Sequence, residues 1–379
     1  MRYFFIFIIL LMNINIVFAR TIYISPEGRD SNLGTLNNPL KSVERAFSTL
    51  NNGIDTIYLL KGEYYVNKAI VVNGVQGSKN RKIFISSLNE PATIFFSNEV
   101  KDLKVLFINC SNIKISNINF FGNSQFIPNT YDILLSIRHS SFFEIYNCYF
   151  KDAYEEGLKV SQSNDVVCNN NIFENFNHEG VDYLNVKNGV ICNNKILEVG
   201  RVGIMVKGGS QDILVSNNNI YNSKKIMIEA GITVGGMTNI TSTRNYKRGS
   251  FEAYSVYALN NNIQSINNGV IRRGIAFYGA NESYAVNNII KNTQSGILLK
   301  KNSSKKYGWE EDVNNNNINL SGNIFNGVKQ NNIEVLNNPK NFSNRMNNKE
   351  MLQVLNKRIN VLGKNYKIST IINNCNIFN

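Results

Sequence analysis

The 379-residue chain carries 40 Lys and Arg against 27 Asp and Glu, a formal net charge of +13, with only 5 Pro and 1 Trp. This excess of positive charge favours an acidic partner. Because no nucleic-acid-binding module is visible, we expect an acidic polysaccharide rather than nucleic acid. The 5 Cys lack the even number and the spacing of a small disulfide scaffold or a zinc site, so most are interpreted as buried packing residues.

The chain begins with the features of a secretory signal peptide. Arg2 supplies a positive charge, residues 3–12 are apolar, and Val17-Phe18-Ala19 resembles a cleavage site. Two asparagines interrupt the apolar run, which is too short for a membrane anchor, and no other segment is apolar enough to span a bilayer. We therefore expect residues 1–19 to be removed, and a secreted or periplasmic chain with no stable membrane insertion.

A capping helix is predicted after a first strand at residues 21–25. Within residues 41–50 the apolar side chains of Val43, Ala46, Phe47 and Leu50 lie at helical spacing. Such a helix would cover the open end of a solenoid. Residues 349–362 show a similar pattern, which predicts a second helix near the other end.

A short phrase recurs through the middle of the chain: apolar, any residue, Asn, two residues, apolar. Its final apolar residues lie at positions 120, 150, 172, 196, 220, 263, 290 and 318. A period in the twenties is typical of a leucine-rich repeat or a parallel β-helix, and the leucine consensus is absent. The asparagines three positions before these residues tolerate left-handed backbone, and stacked coils would align their side chains in a ladder. They are Asn117, Asn147, Asn169, Asn193, Asn217, Asn260, Asn287 and Asn315.

A second phrase, Gly followed by apolar, any residue, apolar, comes after most of these positions, as in Gly157-Leu158-Lys159-Val160 and Gly203-Ile204-Met205-Val206. Alternation along a strand directs the apolar residues inward and the middle residue outward. The chain is therefore predicted to be all-β. We expect a single-stranded right-handed parallel β-helix over residues 20–338, with an N-terminal capping helix and a helical or capping segment over residues 339–379.

The N-terminal region resembles the pectate-lyase-like right-handed parallel β-helix superfamily. The resemblance is carried by Ser25-Pro26, Gly28, Asp30-Ser31-Asn32, Gly34-Thr35 and Pro39, and by Asp55-Thr56-Ile57-Tyr58 after the helix. The later Gly and Asn phrases extend it over most of the mature chain. It implies the fold. It does not select a reaction, because the superfamily includes lyases, glycoside hydrolases, epimerases and binding proteins.

Charged side chains of both signs concentrate on and just before the Gly-phrase strand. In stacked coils this arrangement brings carboxylates beside cations, in one row with a histidine and a tyrosine. The alternative interpretation is an ordinary ion-paired outer face of a solenoid. The carboxylates are Glu156, Glu179 and Asp182, the cations are Lys159, Arg201 and Lys207, and the two further residues are His178 and Tyr278.

The chemistry that fits this row is β-elimination on a uronate polysaccharide. A cation must neutralise the substrate carboxylate, a base must take the C5 proton, and an acid must protonate the leaving oxygen. Lys207 or Lys159 would be the base, if the nearby Arg201 favours the neutral amine, and Tyr278 or His178 would be the acid.

The resemblance to β-helix lyases further implies Ca²⁺ on Asp, Glu and Asn oxygens. Glu156, Glu179 and Asp182 are the candidate ligands. However, the paired-Asp calcium motif of pectate lyases is absent. So are the local Asn-Lys-Ser and Arg-His-Gly motifs of alginate-lyase and chondroitinase-like proteins. A glycoside hydrolase, an epimerase and a non-catalytic polysaccharide-binding protein therefore stay open as alternatives.

An insertion separates the repeats that end at Ile220 and Ile263. Insertions in solenoids usually lie on the binding face, and basic residues with aromatic neighbours suit an acidic sugar chain. The alternative is a solvated surface loop. The predicted substrate-binding residues are Arg244, Lys247 and Arg248 in the insertion, and Arg272, Arg273 and Lys300 on later coils.

Overall fold

The computed structural model describes residues 21–100, 102–123, 131–225, 227–236, 238–243 and 250–336, and the backbone of 340–343. The predicted signal peptide, the helix predicted at residues 349–362, and the insertion residues Arg244, Lys247 and Arg248 lie outside these ranges and stay predictions. Lys340–Ser343, inside the predicted helical or capping segment, is a strand.

The described chain is a right-handed parallel β-helix, as predicted, built from three parallel sheets. Each coil passes through the three sheets in turn. One coil runs from Glu156–Ser161 through Asn164–Asn169 and Ile172–Phe176, and the next begins at Glu179–Leu184. Stacking coils in this way buries one continuous core.

The sheet that carries the Gly phrases is called here the site sheet. Its ten strands are Ile70–Asn73, Val105–Ile108, Ile133–Arg138, Glu156–Ser161, Glu179–Leu184, Val202–Lys207, Met227–Gly235, Val270–Tyr278, Ser295–Lys300 and Ile333–Leu336.

The second sheet has thirteen strands and the third has ten. Those of the second sheet are Thr21–Ile24, Thr56–Leu59, Ile83–Ser87, Ser111–Ser116, Ser141–Tyr146, Asn164–Asn169, Lys187–Cys192, Ser210–Ser216, Ala253–Leu259, Ala280–Asn281, Tyr284–Val286, Asn316–Ser321 and Lys340–Ser343. Those of the third sheet are Glu63–Val66, Ala92–Phe96, Ile118–Phe121, Tyr149–Ala153, Ile172–Phe176, Lys195–Val199, Asn219–Asn222, Asn262–Ser265, Ile289–Lys291 and Ile324–Asn326.

The N-terminal helix is confirmed as Val43–Ser48, continued by a 3₁₀ turn at Thr49–Asn52. It begins at Ser42, whose hydroxyl oxygen accepts a hydrogen bond from the backbone N–H of Arg45 at 3.2 Å. The Phe47 ring lies 6.2 Å from that of Phe107, so the helix covers the first coils of the core. Two further 3₁₀ turns, Ile240–Ser242 and Ser304–Tyr307, lie between strands of the later coils.

The core is filled by inward-facing apolar side chains, which repeat in register from coil to coil. The rings of Phe120, Phe150 and Phe173 stack at centroid distances of 5.1 and 4.9 Å. The free cysteines Cys110, Cys148 and Cys168 are buried, as expected of packing residues. No helix in the described ranges is long and apolar enough to cross a membrane.

The predicted asparagine ladder is present: the side-chain NH₂ of Asn147 donates to Asn117 Oδ1 at 3.3 Å, and that of Asn193 donates to Asn169 Oδ1 at 3.0 Å. A second, buried ladder lies one residue later in the chain. The predicted asparagines Asn193 and Asn217 have φ of 56° and 53°, the left-handed geometry that asparagine tolerates. The following residues form the buried ladder. The Asn194 side-chain NH₂ donates to Asn218 Oδ1, and that of Asn218 donates to Asn261 Oδ1, each at 3.0 Å.

Two of the predicted asparagines, Asn169 and Asn315, do not take the left-handed geometry. Asn170, rather than Asn169, takes the left-handed geometry in its coil, with φ of 57°. Asn315 lies in the turn after the site sheet, where its NH₂ donates to the carbonyl of Phe277 at 3.1 Å. In that coil Gly322 is the left-handed residue, with φ of 60°, and Asn323 continues the ladder. Glycine adopts this geometry freely, so it replaces the asparagine.

Candidate functional site

The site sheet places the predicted residues in register on its outer face. Lys159 pairs with Asp182 on the next strand, and Asp182 pairs with Met205. The preceding glycines are required by close packing. A Cβ on Gly157, for example, would lie 2.7 Å from Cδ1 of Phe173 in the core. The Gly phrase therefore fixes which residues of each strand face outward.

Asp182 is the centre of the charged row, and it is completely buried. Its Oδ2 lies 3.0 Å from Nζ of Lys159 and 3.3 Å from Nζ of Lys207. Burial alone would raise the pKa of the Asp182 carboxyl, but the two ammonium groups outweigh that effect and lower it. Asp182 is therefore an ionised, buried carboxylate that binds the amines of two lysines, and these amines lie nearer the surface.

Lys159 is held from two sides. Its Nζ lies 2.6 Å from Oε1 of Glu156 as well as 3.0 Å from Asp182. Burial opposes the charged amine, but the two carboxylates raise the pKa of Lys159 above its usual value. The predicted role of Lys159 as the base is therefore not supported, because its amine keeps its proton. Lys207, whose Nζ contacts Asp182, is the remaining lysine of the pair.

Glu156 and Glu179 are buried carboxyls in an acidic neighbourhood. Burial raises the pKa of Glu156 to about 8; Lys159 opposes this rise, and Asp182 and Glu179 add to it. Burial and Asp182 also raise the pKa of Glu179, against the attraction of Lys207 and Arg201. Arg201 Nη1 lies 3.4 Å from Glu179 Oε1, and its guanidinium is partly exposed. The exposed groups of this row are therefore mainly cationic.

His178 and Tyr278 differ in what they can do with a proton. Burial lowers the pKa of His178, and the positive charges of Arg201, Lys159 and Lys207 lower it further. A neutral imidazole accepts a proton more readily than it donates one, so the acid role predicted for His178 is not supported. Burial raises the pKa of Tyr278, against the effect of Arg273. Its phenol therefore stays protonated and can donate.

The predicted cations of the later coils meet around a pocket of about 190 Å³ beside this row. Arg272, Arg273 and Lys300 line it together with Arg201, Tyr278 and Lys301. Among the described residues Glu229 is the one carboxylate of the lining. The buried Nε of Arg273 has no hydrogen-bond acceptor among the described residues. A pocket with this charge and a free guanidinium donor suits an anionic group.

Gly236 joins the pocket to Lys207. It lines the pocket, and a Cβ built on it would lie 3.8 Å from Cβ of Lys207. The base candidate and the anion pocket are therefore neighbours on one surface, as a reaction beside a carboxylate requires.

The predicted calcium ligands do not fit a calcium site as they stand. Ca²⁺ takes six to eight oxygen ligands, but the Lys159 amine already lies between the carboxylates of Glu156 and Asp182. Within the described ranges no group of three or more His, Cys, Asp or Glu side chains is arranged to hold a metal ion. Calcium binding by Glu156, Glu179 and Asp182 stays an untested prediction.

Sequence reasoning missed two features next to the row. Lys104 and Asp132 form a buried ion pair at 2.7 Å, one coil before Glu156. Asp132 precedes its strand as Glu155 precedes Glu156, so the register of the repeat could have revealed it. Glu252 is completely buried at the end of the insertion. No periodic signal marks it, because the insertion interrupts the repeat.

The comparisons with known proteins agree with this architecture. Residues 22–189 match the sequence model of a family described as Pel9A-like, right handed beta helix region. Among curated proteins none matches this sequence. The family match confirms the predicted resemblance to pectate-lyase-like β-helix proteins over residues 22–189.

Several solved structures are similar. One titled "Glycoside hydrolase" has a TM-score of 0.51 at 9% identity, over 82% of this chain and 96% of that one. The A-module of the Azotobacter vinelandii mannuronan C-5 epimerase AlgE6 has a TM-score of 0.50 at 15% identity, over 79% and 93%. The catalytic domain of a GH87 alpha-1,3-glucanase in complex with nigerose has a TM-score of 0.47 at 12% identity, over 87% and 68%. At these identities the first two similarities show the fold alone, and the third adds nothing to that conclusion.

Proposed function

We propose that this protein binds an acidic polysaccharide on the site sheet and cleaves it by β-elimination at a uronate residue. The observation that carries the proposal is the pairing of Lys207 with the buried Asp182, directly beside a pocket rich in guanidinium and ammonium groups. This arrangement provides a positioned amine next to a site for the substrate carboxylate, and both are needed to remove the C5 proton.

In this proposal the substrate carboxylate binds to Arg201 and Arg273 at the pocket. Their positive charges stabilise the negative charge that develops when C5 loses its proton. Lys207 first gives its ammonium proton to water, and its free amine then takes the proton from C5. Lys159 stays charged because Glu156 and Asp182 hold it, and it adds to the positive field on the same face.

The elimination is completed at the leaving oxygen. The electron pair from the C5–H bond forms the C4=C5 double bond, the C4–O4 bond breaks, and O4 takes a proton from the Tyr278 hydroxyl. Lys207 ends as an ammonium and Tyr278 as a phenolate, and each returns to its starting state by proton exchange with water. A metal ion is not needed in this sequence of steps.

A glycoside hydrolase is the second candidate, because one observation favours it. The environments of Glu156 and Asp182 move their pKa values apart, upward for the first and downward for the second. This is the pattern expected of an acid and a base. The Lys159 amine, however, lies between these carboxylates, where a glycosidic oxygen would have to bind.

The deciding experiment is incubation of the purified chain with polygalacturonate, alginate and glycosaminoglycans, with EDTA or with added Ca²⁺. The expected result is ultraviolet absorbance from an unsaturated uronate end on at least one polymer, abolished in Lys207→Ala. Lys195→Ala, on an exposed lysine of the third sheet, is the matched control and should retain full activity.

Other outcomes separate the alternatives. New reducing ends without that absorbance would indicate the hydrolase, and a change in the C5 configuration without cleavage would indicate an epimerase. Binding to these polymers without any product would indicate a non-catalytic binding protein. Loss of activity in EDTA, restored by Ca²⁺, would support the calcium prediction.

A further inference from the structure

Glu252 is a buried carboxyl that joins separate turns at one end of the site sheet. Its Oε2 accepts a hydrogen bond from the backbone N–H of Gly208 at 3.2 Å. Its Oε1 accepts one from the backbone N–H of Thr238 at 3.1 Å and one from the side-chain NH₂ of Asn302 at 2.9 Å. Three turns that are far apart in sequence therefore share one carboxylate.

Two of these contacts hold the backbone around Lys207. Gly208 follows Lys207 directly and has left-handed geometry, with φ of 67°. On the other side, Gly236 lies against the Lys207 side chain, and its carbonyl accepts a hydrogen bond from the Asn302 NH₂ at 2.7 Å. Glu252 therefore fixes the turn after Lys207 directly, and through Asn302 it fixes the segment that packs on it.

Backbone hydrogen bonds of Glu252 and a hydrogen bond from a tryptophan extend this network. The Glu252 carbonyl accepts from the N–H of Gly209 at 2.8 Å, and the Glu252 N–H donates to the carbonyl of Gly279 at 2.9 Å. Nε1 of Trp309 donates to the carbonyl of Thr238 at 2.8 Å. The described ends of the insertion, at Thr238 and Glu252, are therefore hydrogen-bonded to neighbouring coils at the edge of the proposed site.

Burying a carboxylate costs free energy unless hydrogen bonds or neighbouring charges stabilise the ionised form. Burial raises the pKa of Glu252 to about 7, although the N–H donors of Thr238 and Gly208 and the charge of Lys207 oppose that rise. Once ionised, the carboxylate can accept from all three donors. A protonated carboxyl or a glutamine amide at the same place would point its own O–H or N–H at one of these donors, and one hydrogen bond would be lost.

We propose that Glu252 is a positioning residue that holds Lys207 on Asp182 by fixing the two backbone segments on either side of the lysine. The proposal rests on the proposed function, in which Lys207 is the base. Glu252 does not touch the substrate in this role, because it lies completely buried beneath the turn.

The test is amine-selective labelling at pH 8, read by mass spectrometry as the rate at Lys207 relative to Lys159. Lys159 is an internal reference, because its partners Glu156 and Asp182 do not contact Glu252. In Glu252→Gln the relative rate at Lys207 should rise about fivefold to tenfold, the effect of one lost hydrogen bond. Asn302→Ala should raise it in the same direction, and it serves if the first variant folds poorly.

The matched control is Asn261→Ala. It removes buried hydrogen bonds from the asparagine ladder, at the other end of the strand Ala253–Leu259 that follows Glu252. The Lys207-to-Lys159 ratio should not change there, even though the variant is less stable. An unchanged ratio in Glu252→Gln and Asn302→Ala would overturn the proposal.

Turnover gives the second readout. In Glu252→Gln, kcat should fall about tenfold or more while KM stays nearly constant, because the guanidinium groups of Arg201 and Arg273 that bind the carboxylate are not among the hydrogen-bond partners of Glu252. Faster labelling without any loss of kcat would overturn the positioning role. If the wild-type chain cleaves no polymer, the proposed function fails, and the labelling ratio alone decides whether Glu252 fixes Lys207.

Discussion

Asp182→Asn is the substitution that most directly tests the buried ion pairs of the site. The asparagine keeps the shape but removes the charge that Lys159 and Lys207 share at 3.0 and 3.3 Å. Removing one partner of a buried pair costs about 3–5 kcal/mol, since the remaining charges stay poorly compensated. With a urea m-value of about 3 kcal/mol/M for a chain of this size, the unfolding midpoint should fall by about 1 M.

The assay is urea unfolding of both chains at pH 7 and at pH 3. The lowered pKa of Asp182 means that its contribution is present above about 3.8 and is lost as the pH falls through the folded-state value. The difference between the two chains should therefore shrink at the lower pH. Glu90→Gln, which breaks the exposed pair with Lys61, is the control and should cost about 1 kcal/mol or less. A cost for Asp182→Asn as small as that of this control would refute the reasoning.

Four further changes have defined outcomes. Asn218→Ala leaves the backbone N–H of Asn194 without its acceptor, and it should cost about 2–4 kcal/mol in urea unfolding. The pKa of Glu156 is raised from 4.5 to about 8, so its stabilising contribution is lost as pH rises through that range; in Glu156→Gln this part of the pH dependence should disappear. Arg273→Ala should raise KM for the cleaved polymer about tenfold at low salt and less at high salt, with kcat nearly constant. Terminal sequencing of the exported chain should find cleavage after Ala19, and a retained N-terminus would contradict the signal-peptide prediction.

The fold could be predicted because each coil repeats the same physical requirements. A left-handed bend, a buried amide and an inward apolar pair recur from the coil of Asn171 to that of Asn323, so the period can be read without any homologue. The asparagine positions that were predicted wrongly lie where the repeat pattern is ambiguous. Three consecutive asparagines at 169–171 allow two registers, and in the coil of Asn323 a glycine takes the bend instead. A pattern based on asparagine alone cannot distinguish these cases.

The site was only partly predictable. The register placed Lys159 beside Asp182, and it placed the later cations on the same face, because both follow from strand spacing. The roles of the residues depend on burial, which the spacing does not give. Against the effect of burial, Asp182 and Glu156 raise the pKa of Lys159, so its amine stays charged, whereas burial lowers the pKa of His178 and favours its neutral form.

The role of Glu252 could not be predicted from the sequence, for a different reason. Its partners Gly208, Thr238 and Asn302 are brought together by the path of the insertion and of a later turn. Neither of these segments follows the repeat. Contacts that depend on irregular segments have no periodic signal, so only the folded chain reveals them.

The most direct test of the account is the mass of the new chain ends produced from a cleaved uronate polymer. Elimination by Lys207 and Tyr278 predicts a new non-reducing end that is lighter by one water than the hydrolysis product, and none in Lys207→Ala. New ends that have gained a water, or the lighter ends still forming at full rate in Lys207→Ala, would contradict it.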